Sequence, residues 1–201
     1  MGEIKAIQTY YKGYKFRSRL EARWAVFFDE LGIRYEYEPE GIKLSDGTVY
    51  LPDFYLPDFH VFFEVKAKHI LETKEEQEAI KKIKDGAYTD SWAGLICFGD
   101  PKDNRLRLFC QETDEEGGGS FEAECHFVYS ELKEKLYLWI PDSRDRYLFA
   151  SFDSYGDEIP AINIPQFVEL GIAFQGLQEP DRWERAAIKA RQARFEYSET
   201  P

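Results

Sequence analysis

Between Asp53 and Lys66 the chain reads DFYLPDFHVFFEVK, two runs of β-forming residues around Pro57-Asp58. Aromatic and branched residues favour strands and Pro-Asp favours a turn, so the stretch predicts a β-hairpin. With the turn centred between Asp58 and Phe59, the numbers of facing residues sum to 117 and Asp53 lies opposite Glu64. Directly opposed residues share a face, with Cβ atoms roughly 4.5–5.5 Å apart. Two carboxylates at that range repel unless a cation sits between them or one is protonated. Lys66 lies two residues beyond Glu64 and points to the same face. An otherwise apolar hairpin thus gathers two acids and a lysine on one spot.

Phosphodiester hydrolysis needs such a trio. Oxygen ligands suit Mg²⁺, which keeps several waters and is usually held by one or two carboxylates. The metal stabilises charge on the phosphate and lowers the pKa of a bound water. A neighbouring lysine orients that water or stabilises the developing negative charge.

Around this hairpin the pattern predicts an α/β chain. A helix starts at Ser18, with Leu20, Trp24, Phe27, Phe28 and Leu31 on one stripe, and ends at Gly32. Ile33 to Glu38 alternates as a half-buried strand. Ile42–Leu44 is a short strand before an Asp46-Gly47 turn. Val49 to Leu56 follows as one strand-like run, and Pro52 inside it predicts an edge or a bulge. His60–Ala67 is a strong strand, and residues 70–85 form a charged helix that Gly86 closes, with Ile70, Leu71, Ile80 and Ile83 as its apolar contacts. Trp92–Phe98 reads as a buried strand, parallel to the previous one because a helix joins them. Arg105 to Gln111 alternates again.

The acidic, glycine-rich segment 112–120 (ETDEEGGGS) divides the chain into a core, 1–112, and an extension, 121–201. Strands are predicted at 121–129, 135–141 and 146–152, then a mostly irregular stretch over 153–180, and a basic helix over 181–195.

The net charge of −12 excludes a protein that coats DNA indiscriminately. Its distribution is uneven. Residues 12–23 carry Lys12, Lys15, Arg17, Arg19 and Arg23 against Glu21, a net +4. Residues 181–194 carry Arg182, Arg185, Lys189, Arg191 and Arg194 against Asp181 and Glu184, a net +3, which leaves −19 for the rest. Basic islands on an acidic body steer a polyanion toward one groove, although solvated helix faces have the same composition. No apolar run is long enough to span a membrane. Three sparse cysteines, Cys97, Cys110 and Cys125, fit a reducing, cytoplasmic-type compartment as buried thiols. They form no C-x₂₋₄-C pair, so structural zinc is not expected.

Pro52-Asp53 followed by Glu64-Val65-Lys66, behind a helix carrying Glu21, resembles the PD-(D/E)XK nuclease superfamily. The resemblance covers roughly residues 15 to 110, including the order helix, acid hairpin, helix, buried strand. The segment FRSRLEARWAVFFDELGIRYEYEPE with YLPDFYLP and FFEVKAK is similar to phage-borne members. The resemblance implies a restriction-endonuclease-like core with a mixed sheet, here followed by a β-rich extension and a terminal helix. It implies that Asp53, Glu64 and the Val65 carbonyl bind Mg²⁺, with Mn²⁺ able to substitute. It assigns Lys66 to the nucleophilic water and Glu21 to metal-bound water. The expected activity is a Mg²⁺-dependent endonuclease, with DNA ahead of RNA as substrate and a phage-encoded origin placing it in the host cytoplasm. The alternative is a nuclease fold used to bind a host defence or DNA-processing protein. A homodimer would let one site per chain make a double-strand cut.

Several residues have a second explanation. Ser18-Arg19-Leu20-Glu21 is a capping box, in which Glu21 bonds back to the Ser18 amide. Asp58 is a rival metal ligand, yet turns favour aspartate for local reasons. Lys15, Arg17, Arg19 and Arg23 begin the helix of Glu21 and are expected on nucleic acid, as is Lys68 on the Lys66 face. Gln77 matches a polar helper position and equally a solvated helix face. The final helix is expected either to clamp the nucleic-acid backbone or simply to pack through its alanines and Trp183.

Overall fold

The structure, a computed structural model, describes residues 6–59, 61–67, 73–89, 93–103, 105–112, 119–130, 135–141, 147–150 and 181–195. Lys68, His69, Ile70, Leu71, residues 113–118 and residues 153–180 lie outside the described residues. The fold is mixed α/β, with a mixed sheet of eight strands and three helices among the described residues.

A hairpin of β1 (Thr9–Tyr11) and β2 (Tyr14–Phe16) leads into helix α1 (Arg19–Leu31). Ser18 caps α1 by accepting the Glu21 amide, and Gly32 closes it with a left-handed backbone at φ 71°. Both boundaries follow the sequence reading: a short hydroxyl side chain satisfies a first-turn amide, and glycine enters the left-handed region without a Cβ penalty.

The strand expected over 33–38 shrinks to β3 (Glu36–Tyr37). Ile33 turns into the core instead, and Arg34 is held by Asp58, which accepts from its amide at 3.1 Å and from its Nε at 2.8 Å. The run Val49–Leu56 is two strands, not one. β5 (Val49–Tyr50) pairs with β4 (Ile42–Lys43) in a separate hairpin, and β6 (Phe54–Leu56) joins the main sheet. The break falls at Pro52, which has no amide to donate to a ladder.

β6 pairs with β7 (Val61–Lys66) as Phe54 with Phe63, Tyr55 with Phe62 and Leu56 with Val61. This is the register expected from the sequence. Helix α2 (Lys74–Thr89) then crosses to β8 (Ala93–Phe98), which lies parallel to β7. α2 does not stop at Gly86. A helical glycine costs only about 1 kcal/mol relative to alanine. Ile83 and Ala87, one turn apart, are fully buried against the sheet and outweigh that cost.

β9 (Leu106–Glu112), β10 (Gly119–Ser130), β11 (Lys135–Pro141) and β12 (Tyr147–Ala150) extend the sheet as an antiparallel run. The order is β12-β11-β10-β9-β8-β7-β6-β3, so the strands before and after the glycine-rich loop belong to one sheet. Helix α3 (Asp181–Gln192) packs on α1 through Ala186, Ala187 and Ala190, small side chains that let the two helices approach closely.

The sheet has two covered faces. Phe54, Val61, Phe63, Val65, Leu95 and Cys97 point toward α1 and join its Trp24, Phe27 and Phe28 in the main core. Ile96, Phe98 and Phe109 point the other way, against α2. Strand alternation decides the sides: Val61, Phe63 and Val65 face α1, so Glu64 and Lys66 face the side of α2.

Candidate active site

At the end of hairpin β6–β7, the first turn of α1, the β4–β5 hairpin and α2 enclose a cleft of about 850 Å³. One wall is held by Ser45, whose amide and hydroxyl donate to Asp85 at 3.0 and 2.5 Å, tying the β4–β5 hairpin to α2. Arg17, Glu21, Asp53, Glu64, Val65 and Lys66 all line this cleft. Four of these come from the hairpin and two from the entry to α1, remote in sequence.

Asp53 and Glu64 are 3% and 5% exposed. Asp53 Oδ2 accepts the Val65 amide at 2.7 Å, and Oδ1 accepts from the Arg17 guanidinium. Glu64 Oε1 pairs with Lys66 Nζ at 2.6 Å, and Oε2 accepts from the Tyr50 hydroxyl at 2.5 Å. Burial pushes the Asp53 carboxyl up to about 8, and the charges of Glu64 and Glu21 push it the same way. Burial alone would lower Lys66, yet Glu64 and Asp53 raise it above its ordinary value, so it stays an ammonium. Tyr50 is driven well above the ordinary phenol range by burial and then by Glu64, which keeps it a donor.

Glu21 is 6% exposed and lines the same cleft as the acid pair. Its bonds differ from those of the expected capping box. Oε1 accepts the Ser18 hydroxyl at 2.7 Å, and Oε2 accepts the Tyr37 hydroxyl at 2.6 Å and the Arg17 amide at 3.1 Å. The box is shifted by one amide because the Arg17 N–H, ahead of the cap, points at the carboxylate.

The first basic island divides. Arg17 lines the cleft, whereas Lys15, Arg19 and Arg23 do not. On a helix, two residues are about 200° apart, so Arg19 and Arg23 leave α1 on the side opposite Glu21. The Arg23 Nε is buried without a hydrogen-bond partner. Lys15 instead lies over the Tyr10 ring at 5.7 Å. The second island is also away from the cleft: Lys189 pairs with Glu30 at 2.6 Å and Arg191 with Asp100 at 3.7 Å. The α3 helix packs on α1, and none of its residues lines this cleft. Asp58 serves the turn through Arg34, and Gln77 is exposed on α2 outside the cleft lining. Cys97 and Cys125 are buried and not in disulfides.

Lys81 and Lys82 from α2 add two cleft cations that the sequence reading did not single out. Even so, the described lining has four cations against seven acids. Tyr50 and Tyr37 were missed too, because both reach their carboxylates across the fold.

No three His, Cys, Asp or Glu side chains among the described residues converge as a metal cage. The donor chemistry at Asp53 and Glu64 nevertheless fits a hard divalent ion. It is an oxygen set of two buried carboxylates beside the Val65 peptide, the hard-donor chemistry that such an ion takes. Among the described residues no helix is long and apolar enough to cross a membrane. No protein-family model and no curated protein matches the chain.

Proposed function

We propose that this protein is a Mg²⁺-dependent endonuclease that hydrolyses phosphodiester bonds in DNA, built on a restriction-endonuclease-like core. The observation that carries the reading is the buried pair Asp53 and Glu64, with Lys66 beside it, on the floor of an open cleft. A pair of like charges held out of water is costly to the fold, and a divalent cation offsets that cost.

In this reading Asp53, Glu64 and the Val65 carbonyl would hold the ion. When bound, the ion neutralises phosphate charge and makes water a better nucleophile. Lys66 orients the attacking water and stays charged through its contact with Glu64. Tyr50 fixes the Glu64 carboxylate by its short hydrogen bond. Glu21, locked by Ser18 and Tyr37, would hold an acceptor carboxylate at the cleft for water. Arg17, Lys81 and Lys82 are the cleft cations available to phosphate oxygens. Cys97 and Cys125, both buried and outside any disulfide, accord with a reducing compartment such as a host cytoplasm.

The test is a panel of duplex DNA, single-stranded DNA, branched DNA and RNA with Mg²⁺ or Mn²⁺. Duplex cleavage is expected, lost with chelator and in Asp53→Ala and Lys66→Ala. Persistence of cleavage in both variants sinks the assignment, and cleavage of RNA alone moves the substrate class. A second reading, a nuclease fold that binds a basic protein, draws on the acid excess of the cleft lining. Capture of such a partner with no cleavage of any nucleic acid would reverse the order.

A further inference from the structure

Arg17 stands where two roles compete. Its backbone is fixed, since its amide donates to Tyr37 Oη at 2.8 Å and to Glu21 Oε2 at 3.1 Å. Its side chain is half-exposed in the cleft. There Nη2 binds Asp53 Oδ1, and Nε binds Glu38 Oε1 at 2.9 Å. The Asp53 side chain is nearly sealed from water and its other oxygen is taken by Val65. Of the two partners, then, the arginine is the one free to move.

Glu38 is arranged for this contact. It is one of two described non-glycine residues with a positive φ, at 46°. Such a backbone is uncommon for a glutamate and persists only where its surroundings hold it. Its amide donates to the Asp53 carbonyl at 2.9 Å, so the two acids that grip Arg17 are tied to each other.

We propose that Arg17 is the resident counter-cation of Asp53 in the metal-free protein, displaced by an incoming divalent ion and then kept at the cleft by Glu38 to take a substrate phosphate. This rests on the nuclease reading above. A guanidinium and a divalent ion that share one carboxylate oxygen compete, so each weakens the other. Once released, Arg17 keeps one carboxylate and presents its remaining donors to the cleft, in the fork geometry that suits phosphate. Metal entry thereby creates a phosphate contact that the metal-free protein lacks, so the loaded site engages substrate through one contact more.

The experiment measures Mn²⁺ affinity of the full chain without nucleic acid, for the wild type, Arg17→Ala, Arg17→Lys, Glu38→Gln and Asp53→Ala. Arg17→Ala is expected to bind Mn²⁺ about tenfold more tightly, the scale of one charge-assisted hydrogen bond in a half-exposed pair. Glu38→Gln leaves Arg17 to Asp53 alone and is expected to bind Mn²⁺ several-fold more weakly, an effect on the order of half a decade. Arg17→Lys falls between the wild type and Arg17→Ala. Duplex DNA binding is then compared in Ca²⁺ and in chelator. Arg17→Ala weakens it in Ca²⁺ and leaves it unchanged in chelator.

Unchanged or weaker Mn²⁺ binding in Arg17→Ala overturns the inference, as does a Glu38→Gln shift in the same direction as Arg17→Ala. An equal loss of DNA binding with and without metal overturns the exchange step. If Asp53→Ala abolishes Mn²⁺ binding while Arg17→Ala changes nothing, the switch fails and the metal site stands. If the wild type binds no Mn²⁺, the nuclease reading fails and the switch with it. Thermal melts of each variant confirm that the folded state is being compared.

Discussion

The two faces of hairpin β6–β7 differ in nearly every property while sharing the same strands. Toward α1, Phe54 and Phe63 meet Trp24 and Phe28 with ring centroids 4.9 to 5.5 Å apart for the Trp24–Phe63, Phe28–Phe63 and Phe28–Phe54 pairs. Toward the cleft, Asp53 and Glu64 crowd like charges and depend on Arg17, Lys66, Tyr50 and the Val65 amide for partners. One face gains stability from contacts that require no ligand. The other holds buried carboxylates whose partners come partly from distant segments of the chain, Arg17 and Tyr50. Period-two alternation lets a single hairpin do both, with neither chemistry diluting the other.

Substitutions on the two faces should therefore separate stability from cleft chemistry. The largest effect is expected for Phe63→Ala, which deletes a fully buried ring. Denaturant melts should show a loss of about 3–5 kcal/mol. A loss under 1 kcal/mol would mean that the aromatic layer is not what supports the hairpin. On the cleft face, saturating Mg²⁺ should stabilise the wild type by about 2.7 kcal/mol at 100 times its dissociation constant. Asp53→Ala should abolish that gain, and a retained thermal shift would place the ion elsewhere.

Ser18 belongs to both faces, since it caps α1 and donates to Glu21. Ser18→Ala should cost about 1 kcal/mol by thermal melts. Cleavage should also fall, because Glu21 loses one of its three hydrogen-bond donors; melting without a kinetic change would confine Ser18 to capping. Farthest from either face, Lys189→Ala removes an exposed contact with Glu30 and should cost about 0.2–1 kcal/mol. A larger loss would make the α1–α3 contact depend on charge rather than on its alanines.

Local signals carried much of this architecture. Ser18 and Gly32 bounded α1, and the Pro57-Asp58 turn set a register that places Asp53 beside Glu64. The crossover helix between β7 and β8 predicted their parallel pairing. Signals failed where distant contacts decide. Gly86 marks a stop by propensity, but Ile83 and Ala87 carry the helix through it by packing. Pro52 predicted a disturbance, not a division into strands of two different sheets. The basic island around Arg17 gives no sign of its contact with Asp53, 36 residues away. No spacing rule links Tyr50 to Glu64 or Tyr37 to Glu21, since each bond spans a turn of the fold.

The acid pair also guards the folding reaction. A hairpin that closed one residue out of step would turn one strand's side chains over relative to the other's. Either Asp53 or Glu64 would then meet the rings of Trp24 and Phe28, and the phenylalanine beside it would turn to the cleft. Nothing in that layer can neutralise a carboxylate, so the misaligned hairpin cannot dock on α1 and must reopen. The same charges that burden the finished cleft make the wrong alignment a short-lived one.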